Sequence, residues 1–420
     1  MHHPNGFRAK RWPRRYARSS PGRDAPAVLR RVHQRWYIIR ELRQPTATLT
    51  CTTVHDPEVL EAYHRNFKRF GHLDQVEVVV IPDRKTPRTV FERSRSICDR
   101  GLKVQCPTLE EQGVFLRSVG VPPELVPFDS DNRRNVGYLL ALASGSDFVI
   151  SIDDDNYCTD EEDVFGQHAV VCAEAAERTV TSSATGFFNV CSLLEFDQPA
   201  PVYARGFPYF ARHKDENPRL TRESVAVHMN AGLWTLDPDI DGITWLVALP
   251  HVKSFRGPSI VLARDTWSPV NTQNTALARN AIPAYYFIKM GYPIAGMPID
   301  RYGDIFSGYF AQACVKHLGG AVRVGTPIAE HRRNSHNYLQ DAANELACIL
   351  LLEELLPWLR ELRLSGGTFI DAYASLSNEI QAAVERFQGG LWTDATRGYF
   401  HQVAYYMRSW LRACRQILGS

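Results

Sequence analysis

From Thr46 onward the apolar residues of the chain switch repeatedly between two spacings. Thr46 to Val54 is a β-branched run that predicts a strand. Pro57 to Phe70 sets Leu60, Tyr63, Phe67 and Phe70 at helical intervals, and Gln75 to Ile81 (QVEVVVI) reads as a buried strand stopped by Pro82 and Asp83. Such a β-α-β unit predicts parallel strands whose ligand crevice lies at their carboxyl ends, the edge where Asp83 would sit. Two short helical segments follow. Asn135 to Ala143 then reads as a helix terminated by Gly145, and Asp147 to Ile152 (DFVISI) as a strand. Between Phe187 and Trp267 the pattern gives strand-like pieces, among them Arg205 to Phe210 and His228 to Trp234. Residues 271 to 291 read as a loop and an aromatic-rich helix, Ile299 to Val315 as a charged loop opening another helix, and a short strand is expected near residue 325. From Asn344 the pattern is helical, with one stripe at Leu346, Ile349, Leu350, Leu355, Leu359 and Leu362 and another over Ile370 to Phe387. The expected class is α/β, a mainly parallel central sheet flanked by helices, with a helical region at the C-terminus. The division this suggests is a basic arm over 1–45, a catalytic domain over 46–340 and a helical cap over 341–420.

Composition narrows the field. With 44% hydrophobic residues over 420, a sizeable core is available, and a net charge of +2 gives no electrostatic reason to expect nucleic acid or an acidic membrane. No apolar stretch reaches the roughly 20 uncharged residues of a bilayer helix. Nine scattered cysteines without a CxxC pair fit a reducing compartment, so a cytoplasmic protein is expected, with a homo-oligomer left open. The arginine-rich start has no apolar core of the kind secretory signals carry, and reads as a disordered arm.

The strongest chemical signal is Asp153, Asp154 and Asp155, three carboxylates directly after DFVISI. Adjacent carboxylates at a sheet edge repel one another, and a divalent cation relieves the repulsion. Hard oxygen ligands select Mg²⁺ or Mn²⁺, ions that keep open positions for substrate phosphates.

At this point the sequence resembles the reversibly glycosylated polypeptide, or UDP-arabinopyranose mutase, family of GT-A nucleotide-sugar enzymes. The matching stretches are RRNVGYLLALASGSDFVISIDDDN, FFN at 187 to 189, ARGFPYF, HMNAGLW with the DPDIDG after it, NTALARNAIPAYYF, and IDRYGDIFSGYFAQACVKHLGGAVRVGTPIAEHRRNSHN. They occur in order over more than half the chain. The resemblance implies a GT-A fold, a metal-dependent glycosyltransferase using a nucleotide-sugar donor such as a UDP-sugar, and an external acceptor it does not identify. A pyranose/furanose mutase is the alternative. It places Asp153, Asp155 and His331 at the metal, with Asp154 orienting the site, and Arg134 at a phosphate oxygen. It places Arg205 at the diphosphate or sugar, with Asp304 accepting a proton or sugar hydroxyls and Arg301 beside it. Asp83, His228 and Asn274 are further candidates for contacts to the nucleotide sugar. One departure is informative: the arginine that becomes glycosylated in the mutases falls seven residues before the match to Arg205, and here that position is Gln198.

Overall fold

The β-branched run forms β1 (Ala47–Thr53), the amphipathic segment α1 (Val59–Phe70), and the QVEVVVI run β2 (Val76–Pro82). The structure is a computed structural model that describes residues 44–199 and 201–419; up to residue 43 the basic arm lies outside the described residues. The order continues with α2 (Thr89–Asp99), β3 (Lys103–Gln105), α3 (Leu109–Ser118), α4 (Arg134–Ser144), β4 (Phe148–Asp153), β5 (Asn156–Cys158), α5 (Val164–His168), β6 (Ala176–Ser182), β7 (Leu194–Phe196) and β8 (Arg219–Val225). After these come β9 (Val227–Leu236), α6 (Gly242–Val247), β10 (Val252–Phe255), β11 (Ile260–Leu262), β12 (Asn274–Ala278), α7 (Gly303–His317), β13 (Ala321–His331), α8 (Tyr338–Glu361), α9 (Phe369–Ala383) and α10 (Asp394–Leu418).

One twisted sheet carries the strands in the order β3-β2-β1-β4-β12-β9-β13-β11-β6-β8. The block β3, β2, β1 and β4 is parallel, so the carboxyl ends of its strands share one edge. β12 runs antiparallel to both β4 and β9, and β13 returns parallel to β9. This is a large mixed sheet flanked by helices, with a helical C-terminal region. Leu351 and Leu355 of α8, Tyr373 of α9 and Trp410 of α10 are buried in the same apolar cluster as Leu49, Ile150 and Met229 of the sheet. Trp410 Nε1 donates to the Pro283 carbonyl at 3.1 Å, fixing α10 against the middle of the chain. Among the described residues no helix is long and apolar enough to cross a membrane.

Three expectations from the pattern are corrected. Arg205 to Phe210 is no strand: Gly206 turns the chain at φ 85°, Pro208 removes a ladder donor, and a short 3₁₀ turn (Tyr209–Ala211) follows. Residues 271 to 291 hold β12 and a 3₁₀ turn (Arg279–Ala284) with Pro283 inside it, rather than an aromatic helix. Their aromatic residues are evenly apolar because the segment is buried on all sides, which imitates a helical stripe. On α8, Leu346 and Leu350 face outward, while Ala347, Cys348, Leu351 and Leu352 face the core, because the helix is apolar nearly all round and its buried face cannot be told from spacing.

Close packing explains one glycine. Gly137 of α4 lies over β1, where an added Cβ would stand 1.9 Å from Thr50 Oγ1 and 2.9 Å from Thr50 Cβ. The strand cannot recede, so Gly137→Ala is expected to destabilise the protein by about 1–3 kcal/mol, despite the better helix propensity of alanine. Chemical denaturation of wild type and variant measures this, and an unchanged or raised midpoint would contradict the packing account.

Candidate active site

β4 delivers Asp153 to the carboxyl edge of the sheet, level with Thr52 of β1, and the chain turns there into Asp154, Asp155 and β5. Each of the three carboxylates meets a different partner. Asp153 pairs with the guanidinium of Arg134, which is buried at the start of α4 and also donates to Ser151 Oγ at 2.7 Å and to the Ile152 carbonyl at 2.8 Å. Asp154 turns toward β1 and accepts from Thr53 Oγ1 at 2.6 Å. Asp155 faces His331, which closes β13, with Nε2 3.6 Å from Asp155 Oδ2. β5 pairs with β13 so that His331 lies opposite Asn156, and this register brings together two residues far apart in sequence.

Burial, together with the charges of Asp155, Asp304 and Asp154, pushes the Asp153 carboxyl up to about 6 despite Arg134. Burial also raises Asp154. For Asp155, burial opposes ionisation, but hydrogen bonding and attraction from His331 outweigh it and hold its carboxyl below the usual range. His331 Nδ1 donates to the Asp237 carbonyl at 2.6 Å, which leaves Nε2 directed at Asp155. Among the described residues no group of three or more His, Cys, Asp or Glu side chains stands close enough together to hold a metal ion by itself. The donors nevertheless suit a hard divalent ion. Two carboxylates and an imidazole with its far nitrogen anchored offer oxygen and nitrogen ligands.

A second cluster faces the first. Arg205, 6% exposed, donates from Nε to Asp239 Oδ1 at 2.8 Å and from Nη2 to Asp239 Oδ2 at 3.1 Å. It also reaches Asp304, with Nη1 to Oδ1 at 3.1 Å and Nη2 to Oδ2 at 2.8 Å. Nη1 also bonds the Arg301 carbonyl. The glycine that follows lets this segment pass under α7, since a Cβ on Gly206 would meet Ile305 Cγ2 at 2.4 Å. Asp304 sits in the first turn of α7 and does not cap it; Ile305 N donates to its Oδ1 at 2.9 Å. The loop before β12 joins the clusters. Asn271 Nδ2 donates to Asp239 Oδ2 at 2.7 Å, and the Thr272 carbonyl accepts from Arg134 at 3.4 Å. Beside the loop, Trp234 is buried and donates to Gln273 Oε1 at 3.0 Å.

Four candidates from the sequence are placed differently. His228 stands at the opposite end of β9 from the carboxylates and packs edge-on against Phe369 of α9, so it is no sugar contact. Asn274 is buried within the sheet. Its Nδ2 donates to the Pro327 carbonyl at 2.8 Å and its Oδ1 accepts from His168 at 3.0 Å, which consumes the amide in structural bonds. Asp83 does reach the carboxyl edge, but its oxygens accept from the backbone amides of Arg84 and Asp129, both at 2.7 Å, and tie two loops together. Arg301 turns its guanidinium away from the cleft toward Glu345 of α8 at 2.8 Å. Asp239 and Asp237, in contrast, were missed. Both lie in the DPDID run after β9, a concentration of acid behind an apolar strand like the one that exposed Asp153.

A family model described as "Reversibly glycosylated polypeptide" matches residues 111–418. Among similar proteins, "Probable UDP-arabinopyranose mutase 4" of Arabidopsis thaliana is 25% identical over 329 residues, covering 76% of this chain and 82% of its own. "UDP-arabinopyranose mutase 2" of the same plant is 26% identical over 302 residues, covering 71% and 75%. A solved structure of glucosyl-3-phosphoglycerate synthase from Mycobacterium tuberculosis, in complex with Mn²⁺ and UDP-glucose, overlaps 74% of this chain and 79% of its own at 12% identity and a TM-score of 0.36. With the family model spanning most of its length, the chain belongs to the reversibly glycosylated polypeptide family.

Proposed function

We propose that the protein is a metal-dependent enzyme acting on a nucleotide diphosphate sugar, most simply a UDP-sugar. It would break the bond between the anomeric carbon and the diphosphate. The observation that carries this reading is that Asp153 and Asp155 leave β4 at the carboxyl edge of the sheet, with His331 Nε2 3.6 Å from Asp155 Oδ2. A Mg²⁺ or Mn²⁺ ion held by those three side chains would neutralise charge growing on the departing diphosphate. Arg134 keeps Asp153 oriented. Asp237 holds the His331 ring by its carbonyl and leaves Nε2 as the nitrogen that would hold a metal. All the donors of Arg205 are engaged, so its role in this reading is to hold Asp304 and Asp239 rigid rather than to grip phosphate. Asp304 Oδ2 keeps a free lone pair for a sugar or acceptor hydroxyl.

The fate of the sugar divides two readings. Transfer to an external acceptor is favoured by Gln198, an amide where a nucleophile would be needed for the protein to carry the sugar itself. Gln198 lines an open recess of about 490 Å³ together with Cys191 and Arg256, and burial pushes the Cys191 thiol far up, which removes it as a substitute. Ring interconversion is favoured by the names of the relatives. Incubation with UDP-arabinopyranose and Mn²⁺ without acceptor separates them, since only a mutase yields the furanose. Under the transfer reading, radiolabelled UDP-sugar is expected to leave no stable label between residues 189 and 212. A stoichiometric adduct mapped there, together with furanose, would reverse the order of the two readings.

A further inference from the structure

Glu345 is a carboxylate in the first half of helix α8, with 0% exposure and apolar residues buried around it. Isolated charges are not tolerated in such a place, so its partners are informative. Oε1 accepts from Arg301 Nε at 2.8 Å and Oε2 accepts from the backbone N–H of Gly242 at 2.7 Å. These partners belong to the two segments that supply Arg205 with its carboxylates. Gly242 follows directly on the loop that carries Asp239, and Arg301 precedes Asp304 by one turn of chain.

The Arg301 contact holds more than a side chain. Arg301 has φ 64°, in the left-handed region that a non-glycine residue adopts only where its surroundings enforce it. In that conformation its carbonyl accepts from Arg205 Nη1. α8 enforces it at a second point as well, since Asp300 N donates to the Asn344 carbonyl at 3.0 Å. Space is closed on the other side too, where a Cβ on Gly242 would come within 2.5 Å of Ala342 N.

We propose that Glu345 is a positioning residue for the reaction, clipping the Asp239 loop and the Arg301–Asp304 turn together so that both carboxylates meet Arg205 in fixed geometry. This rests on the reading of the Arg205 cluster as the sugar-facing half of the site. Glutamine fits the space of Glu345 but offers one acceptor where two are needed, and its amide group would face a donor.

The test uses the full chain with Glu345→Gln. Hydrogen–deuterium exchange is expected to quicken in peptides covering 237–245 and 299–306 and to stay unchanged over β1 and β4. Calorimetry with UDP and Mn²⁺ is expected to give a Kd within about twofold of wild type. Turnover of UDP-arabinopyranose, read as release of UDP or formation of furanose, is expected to fall at least about 30-fold in kcat with KM within about threefold. In an Arg205→Lys background the same substitution is expected to cost less than about threefold, because the cluster it positions is already lost. Unchanged exchange in either segment, kcat within threefold of wild type, or losses that multiply in the double variant would each overturn the proposal. If wild type itself turns over no sugar, the reading of the site fails, and exchange alone decides whether Glu345 clips the two segments. Should Glu345→Gln not fold, Arg301→Met removes one arm of the clip, and faster exchange confined to 299–306 is then the required result.

Discussion

Asp155→Asn is expected to abolish metal-dependent binding of UDP while leaving a folded protein. The substitution keeps volume and one acceptor oxygen but removes the charge a hard cation requires, and it removes the anionic partner of His331. Stabilisation by ligand follows RT ln(1 + [L]/Kd), so at a concentration 100 times the wild-type Kd about 2.7 kcal/mol of protection should vanish. The unliganded variant should melt close to wild type, because the loss of the Asp155–His331 contact is offset by relief of the charge that raises Asp153. Calorimetric titration with UDP and Mn²⁺ measures the first effect and a thermal melt the second. Equal UDP affinity in both proteins would remove Asp155 from the metal site.

Arg205→Ala is expected to have the largest effect on stability. It leaves Asp239 and Asp304 buried without their counter-ion, in a cluster already crowded with carboxylates, and breaking a buried pair in this way costs about 3–5 kcal/mol. The response to pH should change as well. Burial raises Asp239, but Arg205 outweighs it and holds the folded-state pKa below its ordinary value. The wild-type contribution is therefore complete above that ordinary value and is lost as pH falls through the depressed one. Without Arg205, Asp239 takes up a proton more readily, so the deficit of the variant should shrink on acidification. Equilibrium unfolding at pH 7.5 and pH 5 checks both statements. A loss below 1 kcal/mol at neutral pH, or a deficit that grows in acid, would show that the two carboxylates find other partners.

The acidic edge of the sheet was legible because it depends on local order. A buried strand that runs straight into acid must release that acid at the sheet edge, and β4 does so. The pairing of Arg205 with Asp239 and Asp304 was not legible, since it joins three segments and leaves no periodic trace. His228 and Asn274 were misplaced for a related reason. Alternation along a strand tells which face a residue occupies, but not which end of the sheet it stands at or whether its amide is already used. The helix expected near 285 failed because total burial removes the polar positions by which a period is recognised.

The position of β13 has a consequence for synthesis. It is the last strand to be made, yet it lies in the interior of the sheet between β9 and β11, and it brings His331 to the site. The block from β1 to β4 needs only the first part of the chain and can settle while translation continues. β9 and β11 must wait with open edges until β13 has left the ribosome, so half of the sheet is committed late and through contacts distant in sequence. Ribosome-bound chains ending before β13 would therefore hold Asp153 and Asp155 at a finished edge, facing a gap in the sheet.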